Sequence, residues 1–137
     1  MSVKRVWKTE EVFHLPQGDL RYYGLLGMDR YEEMEDGSVR VSMKVTRELL
    51  NGHGTVQGGA VASLCDVAGA AYMRMLVGDE VTLNSSMQFY RPGKEGSVLT
   101  ARVTPRKLGK TICTLVCEVT DETGTLIADS VQTFYRI

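Results

Sequence analysis

The stretch Gly58-Gly-Ala-Val-Ala-Ser-Leu-Cys-Asp66-Val-Ala-Gly-Ala-Ala-Tyr-Met-Arg-Met75 decides the fold. Wound at roughly 3.6 residues per turn, its small and apolar side chains fall on every side. The spacing therefore predicts a helix over 58–75 that is buried on most of its surface. Ser63, Asp66 and Arg74 interrupt it, which makes it a poor bilayer span. A lone buried helix needs something to wrap it.

The rest of the chain supplies the wrapping. Downstream, strand-like runs at 81–91, 97–106, 111–120 and 125–135 are separated by Pro92-Gly-Lys-Glu-Gly96, Lys107-Leu-Gly-Lys110 and Asp121-Glu-Thr-Gly124. Upstream, a strand is expected over 28–34, then a turn at 35–38. Residues 38–46 alternate, with Val39, Val41, Met43 and Val45 on one face and Arg40, Ser42 and Lys44 on the other. A short helix is expected over 19–26, opened by Pro16 and Gly18 and closed by Gly27. Residues 1–15 read as an N-terminal extension, with His14 in an extended stretch and given no role. The order is two strands, a helix, then four strands joined by short links. This is an α+β domain over 1–137, a six-stranded antiparallel sheet curled around one long helix. Such a sheet has edges, and pairing one with a second copy would produce a homodimer.

Composition narrows the function classes. At 137 residues the chain holds one core. A formal net charge of −1 gives no bulk attraction to nucleic acid or anionic lipid. The first residues carry no continuous apolar run or small-residue cleavage site, so no signal peptide is expected. Cys65, Cys113 and Cys117 lack metal spacing and are expected as small buried residues, with the cytoplasm as the natural compartment. No His, Cys or carboxylate cluster has ligand spacing, so no metal is expected.

Chemistry concentrates in Asn51-Gly-His-Gly-Thr-Val-Gln57-Gly58-Gly59 and the Asp66 that follows. Gly58 and Gly59 stand where the helix begins. Free backbone N–H groups and the positive dipole end meet there, and glycine lets a ligand approach them. That suits a developing oxyanion; it equally suits a tight turn. Asp66 interrupts an apolar helix, so it must be paired, protonated or facing a cleft. Gly58 and Asp66 are eight residues apart, about 12 Å along the axis. One helix does not bring both to a single carbonyl, whereas two antiparallel copies would. If both act, the site straddles a dimer interface.

Asn51, Gly54, Gly58, Gly59 and Asp66, in this spacing, resemble the signature of the phenylacetate-degradation type of hotdog-fold acyl-CoA thioesterases. The resemblance continues through Phe89-x-Arg91-Pro92-Gly93 and Gly124-x-x-x-Ala128, and covers the chain from about Gly24. It implies a hotdog fold, acyl-CoA or aryl-CoA thioesters as substrates, and homodimers that often pair into homotetramers. It implies Asp66 as nucleophile or general base, the Gly58 N–H as the group polarising the thioester carbonyl, and Asn51 positioning water or carbonyl. It also implies Thr82 as a hydroxyl orienting the water. No cofactor is implied, since coenzyme A is part of the substrate. The sequence departs from the pattern at Gln57, where the family has His. Glutamine donates a hydrogen bond but carries no proton at neutral pH. It substitutes if the His supplies only a hydrogen bond; activity falls or is redirected if the His transfers a proton. His53 is read as packing or capping its loop.

Other residues have plainer alternatives. Arg91, Arg106, Lys107 and Lys110 lie at strand ends, where they suit coenzyme A phosphates or an ordinary solvated surface. Tyr72 and Tyr90 fit an acyl pocket or the core, and Met28, Met43, Met73, Met75 and Met87 fit core or pocket packing. Two other functions compete with hydrolysis. A non-catalytic acyl-CoA-binding module would have no need of Asp66. A hydratase or dehydratase acting on 3-hydroxyacyl thioesters would need a His beside an acid, and only His53 is available.

Overall fold

A computed structural model describes residues 2–137. In chain order it contains β1 (Val3–Lys8), α1 (Thr9–Phe13), α2 (Arg21–Leu25), β2 (Arg30–Met34) and β3 (Val39–Lys44). A 3-10 turn (Arg47–Leu49) leads to α3 (Gly58–Leu76), then β4 (Glu80–Phe89), β5 (Val98–Leu108), β6 (Ile112–Thr120) and β7 (Leu126–Arg136). The strands form one antiparallel sheet in the order β1-β2-β3-β5-β6-β7-β4. Helix α3 packs against β3 to β7, as its all-round apolar pattern requires.

The core lies between α3 and the sheet. Alternate strand residues point into it: Val39, Val41 and Met43, then Leu99, Ala101 and Val103, then Cys113, Leu115, Cys117 and Val119. The helix contributes Ala60, Val61, Leu64, Cys65, Ala68, Ala71, Tyr72 and Met73. Its many small residues let the backbone come close to the strands. At Gly69 the approach is closest, because a Cβ there would lie 2.3 Å from Gln132 Oε1 and 2.8 Å from Phe134 Cζ. All three cysteines are buried and free, so they pack as small apolar residues.

The expected six strands are present, and a seventh is added. Within the expected N-terminal extension over 1–15, residues 3–13 fold as β1 and α1, with β1 on the outer edge beside β2. His14 is not extended: it ends α1 in the left-handed region, at φ 53°. Strand β1 escapes the period-two pattern because its register with β2 shifts between Val3 and Arg5. Its Trp7 lies under the Arg5 guanidinium at 3.7 Å, so the aromatic is sheltered without entering the core.

A β-bulge sets the phase of β4. Thr82 pairs with Phe134 and Asn84 with Thr133, leaving Leu83 as the additional residue. Beyond the bulge, Ser85, Met87 and Phe89 lie opposite Gln132, Ser130 and Ala128, on the helix-facing side. Strict alternation back from Phe89 would turn residue 82 outward. The bulge restores it to the helix-facing side, opposite Phe134.

Candidate active site

The loop before α3 is built by its own side chains. Asn51 Oδ1 accepts from the N–H groups of His53 (2.9 Å) and Thr55 (3.2 Å). The Gly54 N–H donates to the Asn51 carbonyl at 3.0 Å, with Gly54 at φ 82°, where only glycine is unstrained. The loop is docked onto the segment after β4 by the Val56 N–H donating to the Gly93 carbonyl (2.8 Å). A Cβ on Gly93 would meet Val56 Cγ1 at 2.7 Å, so only glycine permits this approach. The Gln57 N–H then donates to Leu49 O (2.8 Å), and the Gln57 carbonyl accepts from Ala60 N–H (2.9 Å). The helix therefore starts on backbone bonds, and the Gln57 side chain is exposed and makes no cap.

Gly58 and Gly59 occupy the first turn of α3, where N–H groups have no intrahelical acceptor. Gly58 lies under Phe89, whose ring atoms Cε1 and Cζ are 3.5 Å from the position of a Cβ. It lines a cleft of about 300 Å³ with Val61, Phe89, Tyr90 and Arg91. The dipole end of a long helix thus opens on an apolar cleft, a suitable place for a developing negative charge.

Asp66 sits two turns further on. It is exposed, and it faces β4 rather than the core. Its Oδ1 accepts a hydrogen bond from Thr82 Oγ1 at 2.8 Å. Of the options open from sequence, the structure takes two: the carboxylate is paired, and it faces a recess. That recess, of about 400 Å³, is lined by Tyr22, Tyr23, Ala62, Ser63, Val67 and Ser85 besides Asp66. Tyr22 and Ser63 share a hydroxyl–hydroxyl bond of 2.6 Å, and Tyr23 is stacked on Phe13 with centroids 3.9 Å apart. A second carboxylate is near. Burial pushes the Glu80 carboxyl up, opposed by its bond with Arg74, and Asp66 adds to the rise. Arg74 also holds Asp79 at 2.8 Å. Burial likewise raises Tyr23, with the Asp66 and Glu80 charges adding to the effect and Arg74 opposing it.

The structure brings Asp66 and Thr82 together and keeps the other candidates apart. Gln57, Gly58 and Gly59 are at the N-terminal end of α3, and Gly58 lines a different cleft from Asp66. Asn51 is engaged within its own loop, so its carboxamide oxygen is not free for a ligand. The His53 side chain is exposed, and its backbone N–H, not its ring, serves the loop. Arg91 lines the Gly58 cleft and donates from Nη1 to the Leu126 carbonyl at 2.8 Å. Arg106, Lys107 and Lys110 lie around the β5–β6 hairpin, beside Arg136, at the opposite end of β7 from Leu126. At about 3.3 Å per residue that is roughly 30 Å away. Tyr72 belongs to the core, while Tyr90 lines the Gly58 cleft. No sequence signal tied Tyr22 and Tyr23 to Asp66.

Comparison with known proteins identifies the family. The thioesterase superfamily description matches residues 53–128. The acyl-coenzyme A thioesterase PaaI of Escherichia coli is 38% identical over 85 residues, which are 62% of this chain and 60% of that protein. The structure of the E. coli PaaI protein from the phenylacetic acid degradation operon superposes with a TM-score of 0.78 at 32% identity, over 84% of this chain and 83% of that one. A thioesterase-named protein of Streptococcus pneumoniae, solved with coenzyme A, superposes with a TM-score of 0.72 at 32% identity, over 77% and 85%. That protein has also been solved with an Asp→Ala and with a Thr→Ala substitution, at positions sixteen apart, the separation of Asp66 and Thr82. A match over more than half of the sequence, on a shared hotdog fold, means that this chain belongs to the thioesterase superfamily and is a thioester hydrolase.

Proposed function

We propose that this protein hydrolyses an acyl- or aryl-CoA thioester to a carboxylic acid and free coenzyme A, with Asp66 as the reacting carboxylate. The observation that carries the proposal is the 2.8 Å bond from Thr82 Oγ1 to Asp66 Oδ1 at the edge of an open recess. That bond holds one carboxylate oxygen, and the carboxylate borders the open recess. The relative solved with coenzyme A supports the substrate class.

Two routes are chemically complete. As general base, Asp66 takes a proton from water while the water oxygen adds to the thioester carbonyl carbon. The oxyanion is stabilised by the Gly58 N–H, the C–S bond breaks, and the proton passes to the coenzyme A sulfur. As nucleophile, an Asp66 oxygen adds to the same carbon and expels the thiolate. The mixed anhydride is then opened by water. Thr82 serves both routes by holding the carboxylate, and Gln57 supplies a neutral donor beside the Gly58 N–H. Single turnover in ¹⁸O-labelled water tests the second route: label in Asp66 arises only when an anhydride forms and water opens it at the Asp66 carboxyl carbon.

Asp66 and Gly58 occupy separate clefts, eight residues apart on one helix. The complete site is therefore proposed to form between two subunits, α3 of one antiparallel to α3 of the other. Strand β4 is the unpaired edge nearest α3, with Val81, Leu83, Phe89 and Tyr90 exposed along it and just beyond. Covering it in a homodimer, and pairing dimers into a homotetramer, would bury that apolar surface.

The test is thiol release from a panel of short-chain, medium-chain and aryl-CoA esters by the parent protein and by Asp66→Ala. The expected result is turnover by the parent and a loss of at least a hundredfold in the variant, with folding intact. Tight binding of a thioester without thiol release by the parent would replace this reading with that of a non-catalytic acyl-CoA-binding protein.

A further inference from the structure

We propose that Gln132 is a positioning residue for Asp66: its buried amide fixes the rotation of α3 about its axis and so aims the carboxylate. This inference rests on the reading of Asp66 given above. Gln132 lies on β7 and is completely buried. Its Nε2 donates to the backbone carbonyl of Cys65 at 2.6 Å. Its Oε1 is buried without a hydrogen-bond partner among the described residues. That oxygen is seated at Gly69, where a Cβ would lie 2.3 Å from it, so the helix has a notch cut to the shape of the amide.

A side chain with an unpartnered buried acceptor lowers stability compared with an apolar residue of the same size. Core stability therefore gives no reason for glutamine at 132. Direction does. Around Cys65 and Gly69 the face that α3 turns to the sheet has the small residues Ala68 and Ala71, flanked by the larger Leu64 and Met73. Dispersion contacts on such a face are individually weak and have no direction. The hydrogen bond from Gln132 to Cys65 has direction and so sets the rotation of α3 at that point.

The anchored residue is Cys65, the immediate neighbour of Asp66. Two consecutive residues of α3 are thus tied to two adjacent strands. Cys65 is tied to β7 through Gln132 on the buried side, and Asp66 to β4 through Thr82 on the open side. Gln132 pairs in register with Ser85, which lines the Asp66 recess. A carboxylate about 5–6 Å from a helix axis moves about 1 Å for a rotation of roughly 10°. A displacement of about 1 Å at a reacting group costs on the order of a hundredfold in rate.

The experiment uses the full chain and the CoA thioester that the parent turns over fastest. Gln132→Met keeps the volume and removes both the donor and the unpartnered oxygen, while Cys65 O keeps its intrahelical bond. The expected result is a kcat ten- to a hundredfold lower, a KM within about twofold, and a melting temperature equal to or above the parent's. Parental kcat overturns the proposal, as does a loss of kcat that merely tracks a loss of folded protein. Gln132→Glu tests the same point if the Met variant does not fold. Its protonated carboxyl donates to Cys65 as the amide does, and ionisation removes that donor. Its kcat is expected to fall with rising pH more steeply than the parent's; parallel profiles overturn the proposal. Asp66→Ala separates the two claims. If it retains activity, the reading of the site fails. If it is inactive while Gln132→Met turns over at the parental rate, only the role given to Gln132 fails.

Discussion

Gly69→Ala is the sharpest test of how α3 meets the sheet. The new methyl would stand 2.3 Å from Gln132 Oε1, 2.8 Å from Phe134 Cζ and 3.0 Å from Gln132 Cδ. All three atoms are buried, so none can swing into solvent. Either the amide gives way and the 2.6 Å bond to Cys65 is lost, or the helix lifts off β7. Overpacking of this kind costs about 2 kcal/mol, and loss of the hydrogen bond adds about 1 kcal/mol. Replacing a helical glycine by alanine returns about 1 kcal/mol through backbone propensity. The net destabilisation is about 2 kcal/mol, from the sum of those terms. For a chain of this length it lowers Tm by about 6–8 °C. The assay is thermal unfolding by circular dichroism at one fixed protein concentration, because assembly would otherwise shift the midpoint. Gly59→Ala is the control. Its methyl meets only Gln57 Cγ, at 3.9 Å, so propensity alone should leave Tm unchanged or slightly raised. A Gly69→Ala protein as stable as the Gly59→Ala protein would show that the notch is not closed around the amide, and the reasoning would fail.

Two further outcomes follow from the site and its surroundings. Thr82→Val keeps the shape of the side chain and removes the donor to Asp66. A hydrogen bond to a charged group corresponds to about tenfold or more in kcat, with Tm little changed at this exposed site, and steady-state kinetics at undiminished kcat would refute it. Asp36 is held down at about 2 by the Ser38 hydroxyl first, then the Ser38 N–H and Arg102. Its folded value lies below its ordinary 3.8, so its contribution to stability is present above that pH and lost as pH falls towards 2. The parent's Tm should therefore drop more steeply than that of Asp36→Asn between about pH 4 and pH 2; parallel curves would count against the assignment.

Much of this architecture could be read from residue order alone, for physical reasons. Helix α3 was legible because its apolar residues cover every side, and six strands because their alternation is bounded by Gly and Pro. The separation of Gly58 and Asp66 followed from helix rise alone. Strand β1 was not legible, since an irregular register and interleaved Lys and Arg hide its period. Asp66 was expected to need a partner, but an exposed orientation depends on which side of α3 the sheet leaves open. The role of Asn51 in its own loop, and the gathering of Tyr22 and Tyr23 beside Asp66, are contacts that only the folded chain creates. Arg106, Lys107 and Lys110 looked similar to Arg91 as strand-end cations. Strand length separates them, and only the assembled sheet shows which end each one occupies.

The additional residue in β4 has a consequence for how such a site tolerates change. Strand side chains have only two settings, up or down, and Leu83 flips the setting for everything on its N-terminal side. Glu80 and Thr82 therefore share one fate. Deleting a single residue there would send both to the far surface, releasing Arg74 from Glu80 and Asp66 from Thr82 in one step. The hydroxyl beside the carboxylate is thus specified less by the identity of residue 82 than by a parity, odd or even, counted along the strand.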